Sequence, residues 1–336
     1  MKVLIIGCGL IGRKRAKALS ENDDLVSCCD VNEEVGQKFA EDFGCDFFTD
    51  YKEAISKSEP DVVIVSVINK FMRDIVLEAL KNNKHILVEK PLGRNLGEAE
   101  EMVSFYQSKL KENPNLKFKV GFNHRFHPAI WEAKRYVDNG EIGEIFSIRA
   151  RYGHGGRKGM EKEWRASKDL CGGGELLDQG VHVIDLIGWF AGNVKSVFGI
   201  SKTKFWNMEV EDNAYVILEL ANGVTAQFNV SWTNWKNIFS FEIFGDKGYI
   251  VISGLGGSYG IESLEIGKKR DEGGRPFVTI KEYPPEDISW QKEWAEFVSA
   301  IEERREVIGS YNDGLDANKV IDLIYKSEKL GQILDI

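Results

Sequence analysis

The sequence predicts an α/β chain in two parts: a doubly wound parallel sheet at the N-terminus, then an α+β domain with a large, mostly antiparallel, open-faced sheet. Three observations predict it. Up to about Phe122, short β-rich runs alternate with helical stretches at a spacing that calls for right-handed crossovers and parallel strands. Beyond that point hairpin signals take over. The chain has 336 residues, 43% of them hydrophobic, which exceeds one ordinary core and suits two domains. These are expected at 1–122 and 123–336.

The first strand, Lys2-Val3-Leu4-Ile5-Ile6, is apolar without alternation, as a strand buried on both faces should be. A helical segment over about 10–21 follows, then a strand at 25–30 and a helix near 33–43. Strands at 61–67 and 85–88 come next, each followed by a helix (near 72–82 and 96–111), and a strand at 118–122 closes this half. The second half opens on a helix near 128–139 and a strand at 145–152. A loop rich in Gly, Lys and Arg then leads to an apolar helix over about 175–190. Asn222-Gly223 and Gly245-Asp246-Lys247-Gly248 each lie between β-rich runs, where hairpin turns belong. Amphipathic helices near 288–305 and 314–330 end the chain.

Composition narrows the function. A net charge of −9 argues against nucleic acid, whose binders carry a surplus of Lys and Arg. No apolar run approaches the roughly 18–20 residues a bilayer demands, so no membrane partner is expected. The cysteines (Cys8, Cys28, Cys29, Cys45 and Cys171) form no CxxC pair and indicate neither a disulfide framework nor a zinc site. A reduced, cytoplasmic compartment is the simple expectation.

Gly7-Cys8-Gly9-Leu10-Ile11-Gly12 directly follows the first strand and opens the first helix. In that context Gly7 permits the tight turn, Gly9 lets a pyrophosphate approach the backbone, and Gly12 lets helix and strand pack closely. The helix N-terminus offers free N–H groups to the phosphates. Asp30, at the end of the second strand, is placed to bind the adenosine ribose hydroxyls, and its charge would repel a 2′-phosphate. NAD is therefore expected in preference to NADP.

Two clusters carry candidate chemistry. Val88-Glu89-Lys90-Pro91 ends a parallel strand, at the sheet edge where ligands bind. A lysine there can hydrogen-bond a substrate hydroxyl or give up a proton. The second cluster runs from Gly172-Gly173-Gly174 through Asp178 and His182 to Asp185. Asp178 and His182 stand four apart and would share one face of an α-helix. A carboxylate beside an imidazole orients it and raises its basicity, as a general base near neutral pH requires. Two alternatives stand beside that reading: a buried His–Asp pair without chemistry, and a metal site, for which no second His or Cys lies at ligand spacing. No metal is expected.

Together these motifs resemble the Gfo/Idh/MocA oxidoreductase family over nearly the whole chain. The resemblance rests on GxGxxG with Asp30, Lys84-His85-Ile86-Leu87-Val88-Glu89-Lys90-Pro91, Val120-Gly121-Phe122-Asn123, Trp164-Arg165, the run from Gly172 to Asp185, and Asp313-Gly314-Leu315. It implies a Rossmann domain that binds a nicotinamide cofactor, and a sugar or cyclitol held against the second domain. It also implies Lys90 and His182 as the catalytic pair, with Asp178 contacting substrate and supporting the base, and Asn69, Glu89 and Lys90 beside the cofactor. One departure stands out. Where the family often has Pro-Asn-x-x-His, this chain has Ile68-Asn69-Lys70-Phe71-Met72.

The stretch 149–168 holds Arg149, Arg151, Arg157, Lys158, Lys162, Arg165 and Lys168 against only Glu161 and Glu163, and carries Tyr152, His154 and Trp164. Arg binds carboxylates and phosphates bidentately, so an anionic or nucleotide-linked sugar is expected over a neutral polyol. Asn123, Arg125, Tyr152, Trp164 and Arg165 join Lys90, Asp178 and His182 as expected substrate contacts, and His124 and His127 are further candidates at the domain junction. Relatives that use NAD transiently to cleave glycosides, and a non-catalytic binder of NAD or sugar, are the rival readings. The resemblance further implies a homodimer or homotetramer formed through the second sheet.

Overall fold

The computed structural model describes residues 1–336. The chain divides into two compact units. The first comprises Met1–Phe122 and Trp290–Asp316, and the second Asn123–Ser289 and Ala317–Ile336. The first change of unit falls after Phe122; what sequence periodicity did not reveal is that residues 290–316 return to the first unit.

In the first unit, β1 (Lys2–Ile6), α1 (Leu10–Ala18), β2 (Asp24–Cys29), α2 (Glu33–Phe43), β3 (Asp46–Phe48), α3 (Tyr51–Ser58), β4 (Val62–Val65), α4 (Asn69–Lys81), β5 (His85–Glu89), α5 (Leu96–Leu110) and β6 (Phe118–Gly121) alternate along the chain. All six strands are parallel, in the order β3-β2-β1-β4-β5-β6. That order reverses between β1 and β4, and ligands bind outside the strand ends at such a switch point. The short pair β3 and α3 is not evident from the sequence, because a three-residue edge strand carries too little pattern. Asn32, Asp50 and Asn95 cap α2, α3 and α5, each accepting the backbone N–H three residues on. Val3, Leu4, Ile5, Val62, Val63, Ile64 and Val65 are fully buried, which is why these strands read as continuous apolar runs.

The second unit contains α6 (Pro128–Asp138), β7 (Ile145–Gly153), the short α7 (Lys168–Cys171), α8 (Val181–Ala191), β8 (Val194–Lys202), β9 (Asn213–Leu220), β10 (Thr225–Ser231), β11 (Ile238–Gly245), β12 (Gly248–Ser253), β13 (Ser263–Lys268), β14 (Phe277–Glu282) and a terminal β15 (Leu334–Asp335). These nine strands form one sheet in the order β14-β13-β12-β11-β7-β10-β9-β8-β15, antiparallel except where β10 runs parallel to β7. Both hairpin turns form where Asn222-Gly223 and Gly245–Gly248 place them, and Gly223 takes the positive φ the first requires. Alternation is clean in β9, where Tyr215, Ile217 and Glu219 are exposed between buried neighbours, so one face of the sheet is open. Helices α9 (Ser289–Glu302) and α10 (Tyr311–Leu330) complete the chain. No helix is long and apolar enough to cross a membrane.

Candidate active site

The glycine loop is built by backbone contact. Gly7 has φ +98°, and a Cβ on it would lie 2.4 Å from the Ser66 carbonyl oxygen; a Cβ on Gly12 would lie 2.0 Å from that of Gly7. A Cβ on Gly9 would meet nothing within 4 Å. Gly9 is the N-cap of α1, whose first turn holds no acidic residue and no capping side chain, and Leu10 beside it is 74% exposed. Open space, free N–H groups and a positive helix end together fit a pyrophosphate. Asp30 is bound into the same loop. Its Oδ2 accepts from the Cys8 N–H at 2.8 Å and its Oδ1 from the Asn32 N–H at 2.9 Å. Ile11 follows Leu10 in the first turn, and Asn69 opens α4, buried, beyond the end of β4.

Lys90 follows β5 directly, half-buried, and its peptide bond to Pro91 is cis. Glu89 before it is 7% exposed, and its Oε1 accepts from Arg15 Nε at 2.6 Å. Arg15 is itself buried, donates to Glu293 Oε2 at 2.5 Å, and lies 4.5 Å from the Trp290 ring. Burial pulls the guanidinium pKa down, but the two carboxylates outweigh it and the net direction is up. Burial pushes the Glu89 carboxyl above its usual range in spite of Arg15. Gly121 makes room for this network, since a Cβ there would sit 2.6 Å from Arg15 Nη2. The Glu89 carboxylate, expected beside the cofactor, is held by Arg15 in the residue next to Lys90.

In the second unit the helix that carries Asp178 and His182 is not α-helical throughout. Leu176–Gly180 form a π turn that runs into α8, so Asp178 and His182 lie on either side of a change in helical pitch, and the α-helical spacing argument does not apply between them. The turn is anchored by Glu211, a residue that sequence reasoning missed. Its carboxylate accepts from the backbone N–H of Gly174 and Leu176 and from the Tyr325 hydroxyl. Gly174 packs directly on it: a Cβ there would lie 1.9 Å from the Glu211 carbonyl oxygen. The only hint in the sequence is an acidic pair, Glu211-Asp212, just before a strand.

Asp178 accepts from Arg165 Nε at 3.1 Å, and the Arg165 guanidinium lies 4.4 Å from the Trp164 ring. His182 is 3% exposed and stacks on His124, with centroids 3.6 Å apart and planes at 15°. His124 bonds to Asn123 Oδ1 through Nδ1 and to the Tyr152 hydroxyl through Nε2. Asn123 and Tyr152, expected to touch substrate, therefore hold the ring that lies against His182. Arg125, another expected substrate contact, makes a two-pronged, buried ion pair with Asp185 (2.9 and 2.6 Å), which braces the start of the unit against α8. The basic stretch also disperses. Arg149 and Arg151 lie on the exposed side of β7, Arg157 pairs with Glu163, Lys158, Lys162 and Lys168 are exposed, and Arg165 pairs with Asp178.

Comparison with known proteins follows the same division. Residues 1–112 match the profile described as "oxidoreductase family, NAD-binding Rossmann fold", and residues 130–251 match the GFO/IDH/MocA C-terminal domain. The chain is 26% identical to the glucose-6-phosphate 3-dehydrogenase of Bacillus subtilis, over 100% of this chain and 98% of that protein. It is 28% identical to the levoglucosan dehydrogenase of Pseudarthrobacter phenanthrenivorans over 67% of this chain, and the match spans 63% of that relative's length. A solved levoglucosan dehydrogenase in complex with NADH has the same fold, with a TM-score of 0.89 at 23% identity, covering 100% of this chain and 99% of that one.

Proposed function

Because the chain belongs to the Gfo/Idh/MocA oxidoreductase family, with an NAD-binding Rossmann domain, we propose that it moves a hydride between the nicotinamide and a secondary alcohol of a sugar-type substrate, with Lys90 and His182 as the catalytic pair. Bound NAD supplies the hydride acceptor, and the chain supplies position and proton handling. In the oxidative direction the Lys90 ammonium hydrogen-bonds the reacting oxygen and stabilises negative charge as it develops there. His182 takes the hydroxyl proton, and Asp178, steadied by Arg165, holds a neighbouring hydroxyl. The observation that carries this reading is the fixed His182 ring on a helix whose start is tied down by Glu211, in a chain that keeps a lysine at the end of β5. Asp30 favours NAD, since a 2′-phosphate would meet its carboxylate.

The dehydrogenases it resembles act on neutral and on phosphorylated sugars by name. An anionic or nucleotide-linked sugar remains the preferred class, with Arg165, beside Asp178, as the cation of the stretch 149–168 that would meet it. A second copy packing on the open sheet face belongs to the same proposal. The test is absorbance at the NADH band after mixing the protein with NAD and separate pools of sugar phosphates, nucleotide sugars, sugar acids, free sugars and cyclitols. One pool should raise the signal, and Lys90→Met should abolish that rise while leaving NAD binding, read by fluorescence, within about twofold. Unchanged turnover in Lys90→Met overturns the assignment. A glycoside pool consumed without accumulation of NADH would favour the glycoside-cleaving alternative.

A further inference from the structure

Beyond Arg165 a row of aromatic side chains runs to the surface of the second unit. Trp164 lies against the Arg165 guanidinium, the partner of Asp178. Trp164 and Trp206 pack on one buried cluster of Met160, Cys171, Val210 and Trp232. From Trp206 the rings continue outward: Phe205 meets it edge-on at 5.2 Å, and Trp235 meets Phe205 edge-on at 4.7 Å. Trp206 is fixed, since its Nε1 donates to the Trp232 carbonyl at 3.0 Å and its backbone N–H to Asp212 Oδ2 at 2.9 Å. The loop after β7 ties this row together. His154 donates its N–H to the Ser231 carbonyl at 2.9 Å and accepts from the Asn234 N–H at 3.2 Å, while its Nδ1 accepts from the Gly156 N–H at 2.9 Å. Gly155 and Gly156 then pass between two tryptophans. A Cβ on Gly155 would lie 3.0 Å from Trp235 Cα, and one on Gly156 would lie 2.4 Å from Trp206 Cζ2.

The outer two rings are the anomaly. Phe205 is 61% exposed and Trp235 62%, and Trp235 sits at φ +56°, in the left-handed region that bulky side chains rarely adopt. A strained backbone that holds an indole out in water gains nothing from burial, and such outliers gather where ligands are held. We propose that Phe205 and Trp235 form a second subsite that stacks a flat ring carried by the sugar, and that this ring is the nucleobase of a nucleotide-linked sugar. The proposal rests on the reading of Asp178 and His182 as the sugar site. Exposed aromatic rings take up nucleobases because every base offers a π face. Lys204 precedes Phe205 and Lys236 follows Trp235, both exposed and neither in an ion pair, so the segments that carry the rings also carry positive charge for a diphosphate. A neutral monosaccharide would leave both rings in water, and an aryl glycoside would use the rings without the cations.

The chain has eight tryptophans, which fluorine NMR with 5-fluorotryptophan can follow, Trp235 being assigned by the loss of its signal in Trp235→Phe. Full-length protein saturated with NAD is titrated with three probes. Uridine diphosphate glucose (UDP-glucose) carries sugar, phosphates and base; glucose 1-phosphate lacks the base; phenyl β-D-glucopyranoside has a flat ring and no phosphate. UDP-glucose should shift the Trp235 resonance, and glucose 1-phosphate should not. Trp235→Ala should raise the Kd for UDP-glucose roughly tenfold, with Phe205→Ala acting in the same direction and Trp235→Phe staying within about threefold of the parent. The proposal is overturned if UDP-glucose leaves the Trp235 resonance where it was, if glucose 1-phosphate moves it as far, if the phenyl glucoside alone moves it, or if Trp235→Ala binds UDP-glucose as the parent does. It is overturned equally if Trp235→Ala lowers the mass given by light scattering, because the rings would then be a contact between copies. Turnover by Lys90→Met is read separately. Parent-level activity there would overturn the hydride-transfer assignment and leave the ring response standing.

Discussion

Arg15 shows what a single residue can carry in this chain. It stands on α1 three residues after the last glycine of the phosphate loop, and it bonds to Glu89, next to Lys90, and to Glu293, which is 278 residues away in sequence. A buried guanidinium between two carboxylates leaves both uncompensated when it is removed. Arg15→Met should therefore cost about 3–5 kcal/mol, read as a lower urea midpoint, and replacing Glu293 by Gln in the same chain should recover part of the loss. Recovery from the second substitution separates charge from packing, because it removes volume from neither side. Residue-scale legibility follows from this contrast. Gly7, Gly9, Gly12 and Asp30 stood out because a strand–turn–helix loop calls for those residue types at those places, whereas Lys90 stood out through the family resemblance. Glu293 and Glu211 were not, because their partners come from distant segments and a lone Glu has no pattern.

At the scale of elements, the helix expected over 175–190 proves to be a π turn followed by α8, and the reason lies outside it. Glu211 holds the N–H groups of Gly174 and Leu176, and the chain must widen its first turn to meet them. Apolar periodicity sees a helix here but not the carboxylate that Glu211 brings to it from just before β9. Asp212, the next residue, anchors a second element. Its buried carboxylate accepts from the backbone N–H groups of Lys204, Phe205 and Trp206 and from Asn213 Nδ2. Burial alone would raise its pKa, but these donors outweigh burial and the net direction is down. A depressed carboxylate stabilises the fold above its unfolded pKa, and that contribution is lost as pH falls through the folded value. Asp212→Asn should thus lower stability by about 2 kcal/mol at pH 7, with the gap closing below about pH 4. Denaturant titrations of both proteins across that range check it, and a gap that stays constant with pH would mean that the charge contributes nothing.

For the molecule as a whole, the question is what covers the second sheet. Strand register sets out its open face. One row runs Ile217, Gln227, Arg149, Glu242, Val251, Glu265 and Ile280, and the next runs Ile200, Tyr215, Asn229, Arg151 and Ser240. Apolar side chains lie at the ends of the first row, while Arg149 and Glu242 stand opposite each other in register near its centre. Tyr215 and Ile217 are about half exposed, at 49% and 50%. A two-fold copy of this face can set apolar flank on apolar flank and lay the Arg and Glu rows across each other, since an isologous contact needs a self-complementary patch. The sequence made this face legible, because β9 alternates cleanly between buried and exposed positions. It could not show that Arg149 and Arg151, two of the seven cations of 149–168, lie on this face. Light scattering after size exclusion should therefore give a mass at least twice 38.0 kDa. Ile217→Arg, which places a charge in the apolar flank, should shift that mass toward the monomer at micromolar concentration, with the secondary structure by circular dichroism unchanged. A parent that runs as a monomer, or an oligomer indifferent to Ile217→Arg, would show that this face is not where the copies meet.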